Sequence, residues 1–257
     1  MSSVQALNIP FVSQQNSQSS SRLTLFCDLD GPLIDVSQRY YQTYRTALTR
    51  VQRQYQLQGL SLLLTPLGAQ QFWEMKQVRR PDVEIAGCSG LRGPQIDAFL
   101  QQVQEIVNHP RVLAQDRVQP GVRESLARLH RWGVRLAVVT LRSQAQAVRI
   151  LQHYDLAHWF TCIRGAQNDR AAYDNYADHK QALLAEVMAR PEFTGGNQMW
   201  MIGDTEADVL AAQAQGIDSV AVTCGMRSHS YLQQLQPTVI HANLATATSF
   251  LLGVKAA

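Results

Sequence analysis

No stretch of this 257-residue chain offers the roughly 18 consecutive apolar residues of a membrane-spanning helix, so no span is predicted. Charge of either sign is scarce. Lys and Arg number 23 against 20 Asp and Glu, a formal net charge of +3, and no Lys/Arg block stands out. That balance is too mild to point to nucleic acid or an anionic membrane surface. Cysteines are few: Cys27, Cys88, Cys162 and Cys224 stand far apart, with no C-x-x-C pair. Such spacing argues against a zinc site or a redox dithiol, and a reducing, cytoplasmic setting is expected. The N-terminus has no basic start and no long apolar segment, so no export signal is expected. Residues 1–21, polar and rich in Ser and Gln, are expected to be a disordered tail.

What the chain does have is apolar substance, 46% of its residues, enough for a packed interior. Short apolar runs of buried-strand length end in polar residues. They lie at 23–27, 135–139, 160–163 (the weakest), 198–202, 219–222 and 238–241. Helical spacing fills the gaps, at 122–132 before Gly133, at 144–153, at 179–189, and at 207–215 before Gly216. Strands alternating with helices predict an α/β fold with a doubly wound parallel sheet. Residues 36–117 break the alternation. Tyr40, Tyr41, Tyr44, Leu48, Val51 and Tyr55 recur at helical intervals, further helices are expected at 68–78 and 95–107, and no strand is expected. This section reads as an α-helical insertion after the first strand.

In doubly wound sheets ligands bind beyond the carboxyl ends of the strands. The first strand delivers Asp28 and Asp30 there, and the second delivers Thr140. A later helix start brings Lys180, and the 198–202 strand brings Asp204 with Asp208 four residues on. Clustered carboxylates repel unless a cation joins them, and Mg²⁺ prefers oxygen ligands. A phosphate could then bridge metal and protein, with Lys180 and the Thr140 hydroxyl serving its other oxygens. Asp28 is placed to act as a carboxylate nucleophile. Asp30, on the same side of an extended segment, could move protons. Trp73, Lys76, Arg79 and Arg80 could reach this site from the insertion, although an exposed helix face is the preferred reading.

The chain resembles the haloacid dehalogenase superfamily of Mg²⁺-dependent phosphatases, in particular its phosphoglycolate phosphatase and β-phosphoglucomutase-like branch. The resemblance rests on Asp28-Leu-Asp30-Gly31-Pro32-Leu33, on Thr140 in VVTLRS, on Lys180 in DHKQALL, and on Gly203-Asp204-Thr-Glu-Ala-Asp208 followed by Ala211, Ala212 and Gly216. It implies a catalytic core over 22–35 and 118–257, with a helical cap over 36–117. It makes Asp28 the nucleophile and a Mg²⁺ ligand, and Asp30 the acid/base with its backbone carbonyl on the metal. Asp204 would be the other protein ligand, with Asp208 supporting it or the metal waters. Thr140, Leu141 and Lys180 would hold the phosphoryl group. Nearby negative charge, chiefly the bound phosphate and neighbouring carboxylates, is expected to raise the pKa of Asp30, with the metal and Lys180 opposing. Pro32 stands where the family usually has Thr or Val, and altered loop stiffness rather than loss of chemistry is expected. The implied reaction is hydrolysis of a small phosphate monoester through an aspartyl-phosphate, in a monomer or homodimer that binds neither nucleic acid nor membrane. A phosphomutase, or a non-catalytic phospho-ligand-binding protein on the same scaffold, remains the alternative.

Overall fold

The computed structural model describes residues 23–194 and 198–253; the tail expected over 1–21 lies outside them. The core elements are β1 (Leu23–Cys27), β2 (Ile34–Asp35), β3 (Arg117–Val118), β4 (Arg135–Ser143), β5 (Cys162–Ala166), β6 (Gln198–Gly203), β7 (Asp218–Val222) and β8 (Val239–His241). Helices α1 (Ser37–Leu57), α2 (Ala69–Gln77), α3 (Asp82–Cys88), α4 (Pro94–Ile106) and α5 (Pro110–Leu113) lie between β2 and β3. The rest are α6 (Val122–Arg131), α7 (Gln144–His153), α8 (Ala171–Asp174), α9 (Ala177–Met188), α10 (Glu206–Ala214), α11 (His229–Gln234) and α12 (Leu244–Leu251). No described helix is long and apolar enough to cross a membrane.

The main sheet has six parallel strands in the order β5-β4-β1-β6-β7-β8. This is the doubly wound sheet that the alternation predicts. Successive side chains of a strand point to opposite faces, and β1 divides its residues accordingly. Leu25 and Cys27 pack with α6, α7 and α12 residues such as Leu126, Leu151 and Leu244. Phe26 packs on the other face with Leu184 of α9 and Ala211 of α10. Burial on both faces explains why the strand is apolar at consecutive positions rather than alternating. Phe26 is fully buried, with its ring centroid 5.5 Å from that of Phe193. Phe26→Ala should cost about 3–5 kcal/mol. The strand order reverses at β1, with β4 on one side and β6 on the other, so the ends of β1 and β6 flank a crevice.

Three strand expectations need correction. β4 runs on to Ser143, past Thr140, because β5 continues to pair with it across a register irregularity between Val139 and Ser143. β5 lies later than 160–163. Its Gly165 and Ala166 carry little apolar bulk, and Phe160 instead follows a 3₁₀ turn at Ala157–Trp159. A short antiparallel pair, Ile34 with Val118 and Asp35 with Arg117, stands where the chain leaves and re-enters the core. Strands of two residues are too short to leave a periodic signal.

The helical section has its own core, in which Tyr44, Leu48 and Val51 of α1 meet Phe72, Ile85, Phe99 and Val103. Tyr44 also satisfies its hydroxyl, 2.7 Å from Ser89 Oγ and 2.7 Å from the Leu67 amide that donates to it. Helix α3 adds to the expected elements; its seven residues are too few for a clear periodicity. Helix α2 ends at a left-handed residue, Arg79 (φ 58°), with the Arg80 amide donating to Met75 O. That geometry closes the helix and turns the chain sharply.

Candidate active site

Asp28 leaves the end of β1, and its amide donates to Ile202 O of β6. The following turn closes through three backbone bonds: Gly31 N to Ile34 O, and the amides of Leu33 and Ile34 to Leu29 O. Pro32 sits between donors the turn does use. Gly31 has φ +95°, and a Cβ there would meet the carboxylate of Asp204, as would one at Gly225. Two glycines thus let the backbone approach Asp204 from both sides.

Asp28, Asp204 and Asp208 each offer a carboxylate oxygen within 4.8 Å of the others, and all three are buried. Lys180, itself 1% exposed, places Nζ 2.8 Å from Asp28 Oδ1 and 2.8 Å from Asp208 Oδ1. Asp208 accepts from the Thr205 amide and hydroxyl through Oδ2, so it also caps the first turn of α10. Burial pushes the Asp28 carboxyl up to about 7, with Asp208 adding to the rise and Lys180 opposing it. Asp204 is raised well above the usual carboxylate range, by burial first and then by Asp208 and Asp28. Burial works against the Lys180 charge, but Asp208 and Asp28 outweigh it and its pKa is raised.

The three acids fit a hard divalent cation. Asp204 Oδ1 is buried with no hydrogen-bond donor among the described residues. The donors are all oxygens, and the raised pKa values of Asp28 and Asp204 record, beside burial, a repulsion that a cation would relieve. Asp28 and Asp204 would hold such an ion directly, with Asp208 beside them.

Asp30 meets different neighbours. Arg142 Nη2 lies 2.8 Å from Asp30 Oδ1, and Arg39 Nη2 lies 2.9 Å from Asp30 Oδ2. The same guanidiniums reach a second buried acid: Arg142 Nη2 is 2.6 Å from Asp116 Oδ2, and Arg39 Nε is 3.3 Å from Asp116 Oδ1. Burial alone would raise the Asp30 carboxyl, but Arg142 and Arg39 outweigh it and hold it below its ordinary value. This corrects the protein charges expected beside Asp30: without phosphate it faces two arginines that lower its pKa, and Lys180 pairs with Asp28 and Asp208 instead. The Asp30 carboxylate also stands apart from the three-acid cluster.

A cavity of about 500 Å³ opens onto these groups. Asp28, Asp30, Asp204, Thr140, Leu141 and Arg142 line its floor. Thr140 Oγ accepts from the Arg142 amide at 3.1 Å, and its own proton has no acceptor among the described residues. Lys76, Arg79 and Arg80 form the roof, from the end of α2 and the turn after it. That corrects the reading of an exposed helix face: the left-handed turn at Arg79 brings this stretch over the site. Lys76 pairs with Asp82 at 2.9 Å, and Trp73 packs partly buried between the two cores.

Sequence reasoning misses Arg39, Asp116 and Arg142. Arg39 leaves a signal, since it occupies the buried stripe of α1 with Thr43 and Ala47, four residues apart. Arg142 stands two residues past Thr140 in VVTLRS. Asp116 leaves none.

A parallel α/β sheet with carboxylates at adjoining strand ends and a helical roof defines a doubly wound protein with an acid-rich pocket at its switch point. The family model described as haloacid dehalogenase-like hydrolase matches residues 25–222, and the chain belongs to that family. Among curated relatives, the tyrosine-protein kinase PtkA of Mycobacterium tuberculosis is 28% identical over 236 residues, covering 91% of this chain and 74% of that protein. A phosphoglycolate phosphatase of Aliivibrio fischeri is 31% identical over 122 residues, covering 47% of this chain and 51% of the relative. The chain thus spans about half the length of that phosphatase. A haloacid dehalogenase-like hydrolase of Streptococcus pneumoniae has a solved structure with TM-score 0.64 at 21% identity, covering 90% of this chain and 99% of that one; it shares the fold.

Proposed function

We propose that this protein is a Mg²⁺-dependent phosphatase that hydrolyses a small phosphate monoester through an aspartyl-phosphate on Asp28. The observation that carries this reading is the Asp28–Lys180–Asp208–Asp204 cluster at the ends of β1 and β6, open to a roofed cavity. The phosphoglycolate phosphatase relatives support it.

In this reading Asp28 attacks phosphorus and the ester oxygen leaves. Lys180 fixes the Asp28 carboxylate and offsets its charge while the new bond forms. The free Thr140 proton and the backbone at Leu141 meet phosphoryl oxygens. A bound Mg²⁺ would neutralise charge shared between the acids and the phosphate. Asp30 protonates the leaving oxygen and later accepts a proton from the attacking water. For either step its carboxylate must turn away from Arg39 and Arg142, which hold it ionised, and it must take up a proton from solvent before it can protonate the leaving oxygen. The roof excludes water until the first step is complete.

A second reading is transfer to a hydroxyl other than water, as in a phosphomutase or in the tyrosine kinase that PtkA is named for; PtkA matches most of this chain. Both readings use Asp28 in the same way. A panel of phosphorylated metabolites assayed with Mg²⁺ and with chelator separates them. Inorganic phosphate released in step with substrate loss supports the phosphatase. Phosphate retained on an isomer or on a tyrosine supports transfer. Activity undiminished in excess chelator would refute a metal-dependent site.

A further inference from the structure

Glu206 lies between the two acids of the Gly203–Asp208 stretch, yet its carboxylate is not part of their cluster and has its own partners. It is 4% exposed at the first position of α10. Its carboxylate gathers donors from three separate parts of the molecule. Arg227, from the β7–α11 loop, donates through Nε at 2.8 Å and Nη2 at 3.1 Å. Asn175, from the loop before α9, donates through Nδ2 at 2.9 Å. Arg79, from the roof, places Nε 2.9 Å away. A first-turn acid also suits a helix dipole, but a dipole has no need of two guanidiniums brought from distant loops.

Two further observations show that the arrangement is built. Among the described residues, four non-glycine positions have left-handed backbone: Arg79, Asp155, Asn175 and Gln236. Two of these four, Arg79 and Asn175, are partners of Glu206. Strained conformations persist where the surroundings over-determine them. Arg227 also uses its remaining nitrogen: Nη1 donates to Lys76 O at the end of α2, and the next amide, Ser228 N, donates to Gln77 O at 3.0 Å. The end of α2 is therefore tied to the core at the same place where Glu206 holds Arg79.

We propose that Glu206 is a positioning residue: through Arg79 and Arg227 it clasps the cavity's roof, residues 76–82, to the loop that carries Asp204. Roof and metal-binding loop are thereby set as one unit. Arg79 is half exposed while Arg227 is buried. The roof's ion pair can open while Glu206 keeps a buried counter-ion, which gives a reversible clasp rather than a fixed strut. The consequence for substrate choice rests on the phosphatase reading. An ester whose non-phosphate end is anionic meets Lys76, Arg79 and Arg80 and depends on the roof's position. An activated, uncharged aryl ester depends on it less.

The test compares wild type, Glu206→Gln, Arg79→Ala and the double variant. Backbone amide exchange is measured over residues 77–82 and over β1 and β6. Opening the clasp should speed exchange over 77–82 by about 10-fold or more while leaving the strands unchanged. Both single variants should do this, and the double variant should add little to either. With phosphoglycolate and nitrophenyl phosphate as probes, kcat/KM should fall about 10-fold further for the former than for the latter. Exchange at 77–82 unchanged in both singles would overturn the proposal, as would a rise spread equally over β1 and β6. Additive effects of Glu206→Gln and Arg79→Ala would also overturn it. If wild type hydrolyses neither ester, the phosphatase reading fails while the exchange measurement still decides the clasp. Arg79→Ala, at an exposed position, keeps the test available if Glu206→Gln does not fold.

Discussion

Around Asp28 the structure collects three buried carboxylates and one ammonium; around Asp30, two residues on, it collects two carboxylates and two guanidiniums. The first group carries excess negative charge, has an acid raised to about 7, and leaves Asp204 Oδ1 without a donor. In the second, charges match and every acid meets two arginines, although burial still raises the Asp116 carboxyl and the contacts of Asp30 Oδ1 and Asp116 Oδ1 are ion pairs without hydrogen-bond geometry. A buried group with excess charge gains from a cation or proton added from outside, whereas a matched group already has its counter-ions in the chain. The same backbone turn thus supports one cluster that calls for a cation and a phosphoryl group, and one that fixes the frame beside it.

The sharpest way to break this comparison is to alter one acid of each cluster. Asp28→Asn removes the nucleophile and should lower turnover by about 10³-fold or more. Metal-free stability should be unchanged or slightly higher, because one repelling charge is gone. Turnover near wild type would sink the covalent route. Asp116→Ala breaks the matched cluster and leaves two guanidiniums facing Asp30 alone. Chemical denaturation should show a loss of about 3–5 kcal/mol, the usual result of orphaning a buried charge. A loss under about 1 kcal/mol would mean that the arginines are solvated and that the cluster is not closed.

Two smaller effects sharpen the contrast. Asp204→Asn should weaken Mg²⁺ binding by about 10-fold or more, with turnover partly rescued at high Mg²⁺. Equal Mg²⁺ affinity in this variant, measured by calorimetry, would remove Asp204 as a ligand. The last effect is on pH. Asp28 and Asp204 have folded pKa values above their unfolded ones, so the unfolded chain ionises them first as pH rises. Ionisation of Asp28 therefore lowers stability from the unfolded value near 3.8 up through about 7 in the metal-free protein, and Asp204 acts in the same direction. A bound cation removes that penalty. The rise in Tm on adding Mg²⁺ should be small at low pH and grow through neutral pH. A rise that shrinks with pH would contradict the sign.

Much of the fold and of the site is legible in the sequence. Apolar runs bounded by Gly or Asp mark the parallel strands, polar residues at their ends mark Asp28, Thr140 and Asp204 as candidates, and a helix start marks Lys180. What cannot be read there depends on contacts between distant segments. Arg142 and Asp116 are 26 residues apart and meet at 2.6 Å, and nothing in local spacing announces that pair. Glu206 is visible inside the Gly203–Asp208 stretch, but only the fold shows which way it faces. The roof is only partly legible for a related reason: Lys76, Arg79 and Arg80 stand out as able to reach the site, but their placement over it does not. A single left-handed residue, Arg79, redirects the chain, and a non-glycine residue gives no sequence sign that it will take that conformation.

The most direct test of the covalent route is to mix the protein with an activated phosphate ester and Mg²⁺, quench in acid within the first turnover, and map the modified peptide by mass spectrometry. The expected result is one phosphoryl group on the peptide containing Asp28, removed by hydroxylamine as an acyl phosphate should be, and absent in Asp28→Asn or with chelator. A phosphoryl group on another residue, or steady turnover with Asp28 never labelled, would contradict it.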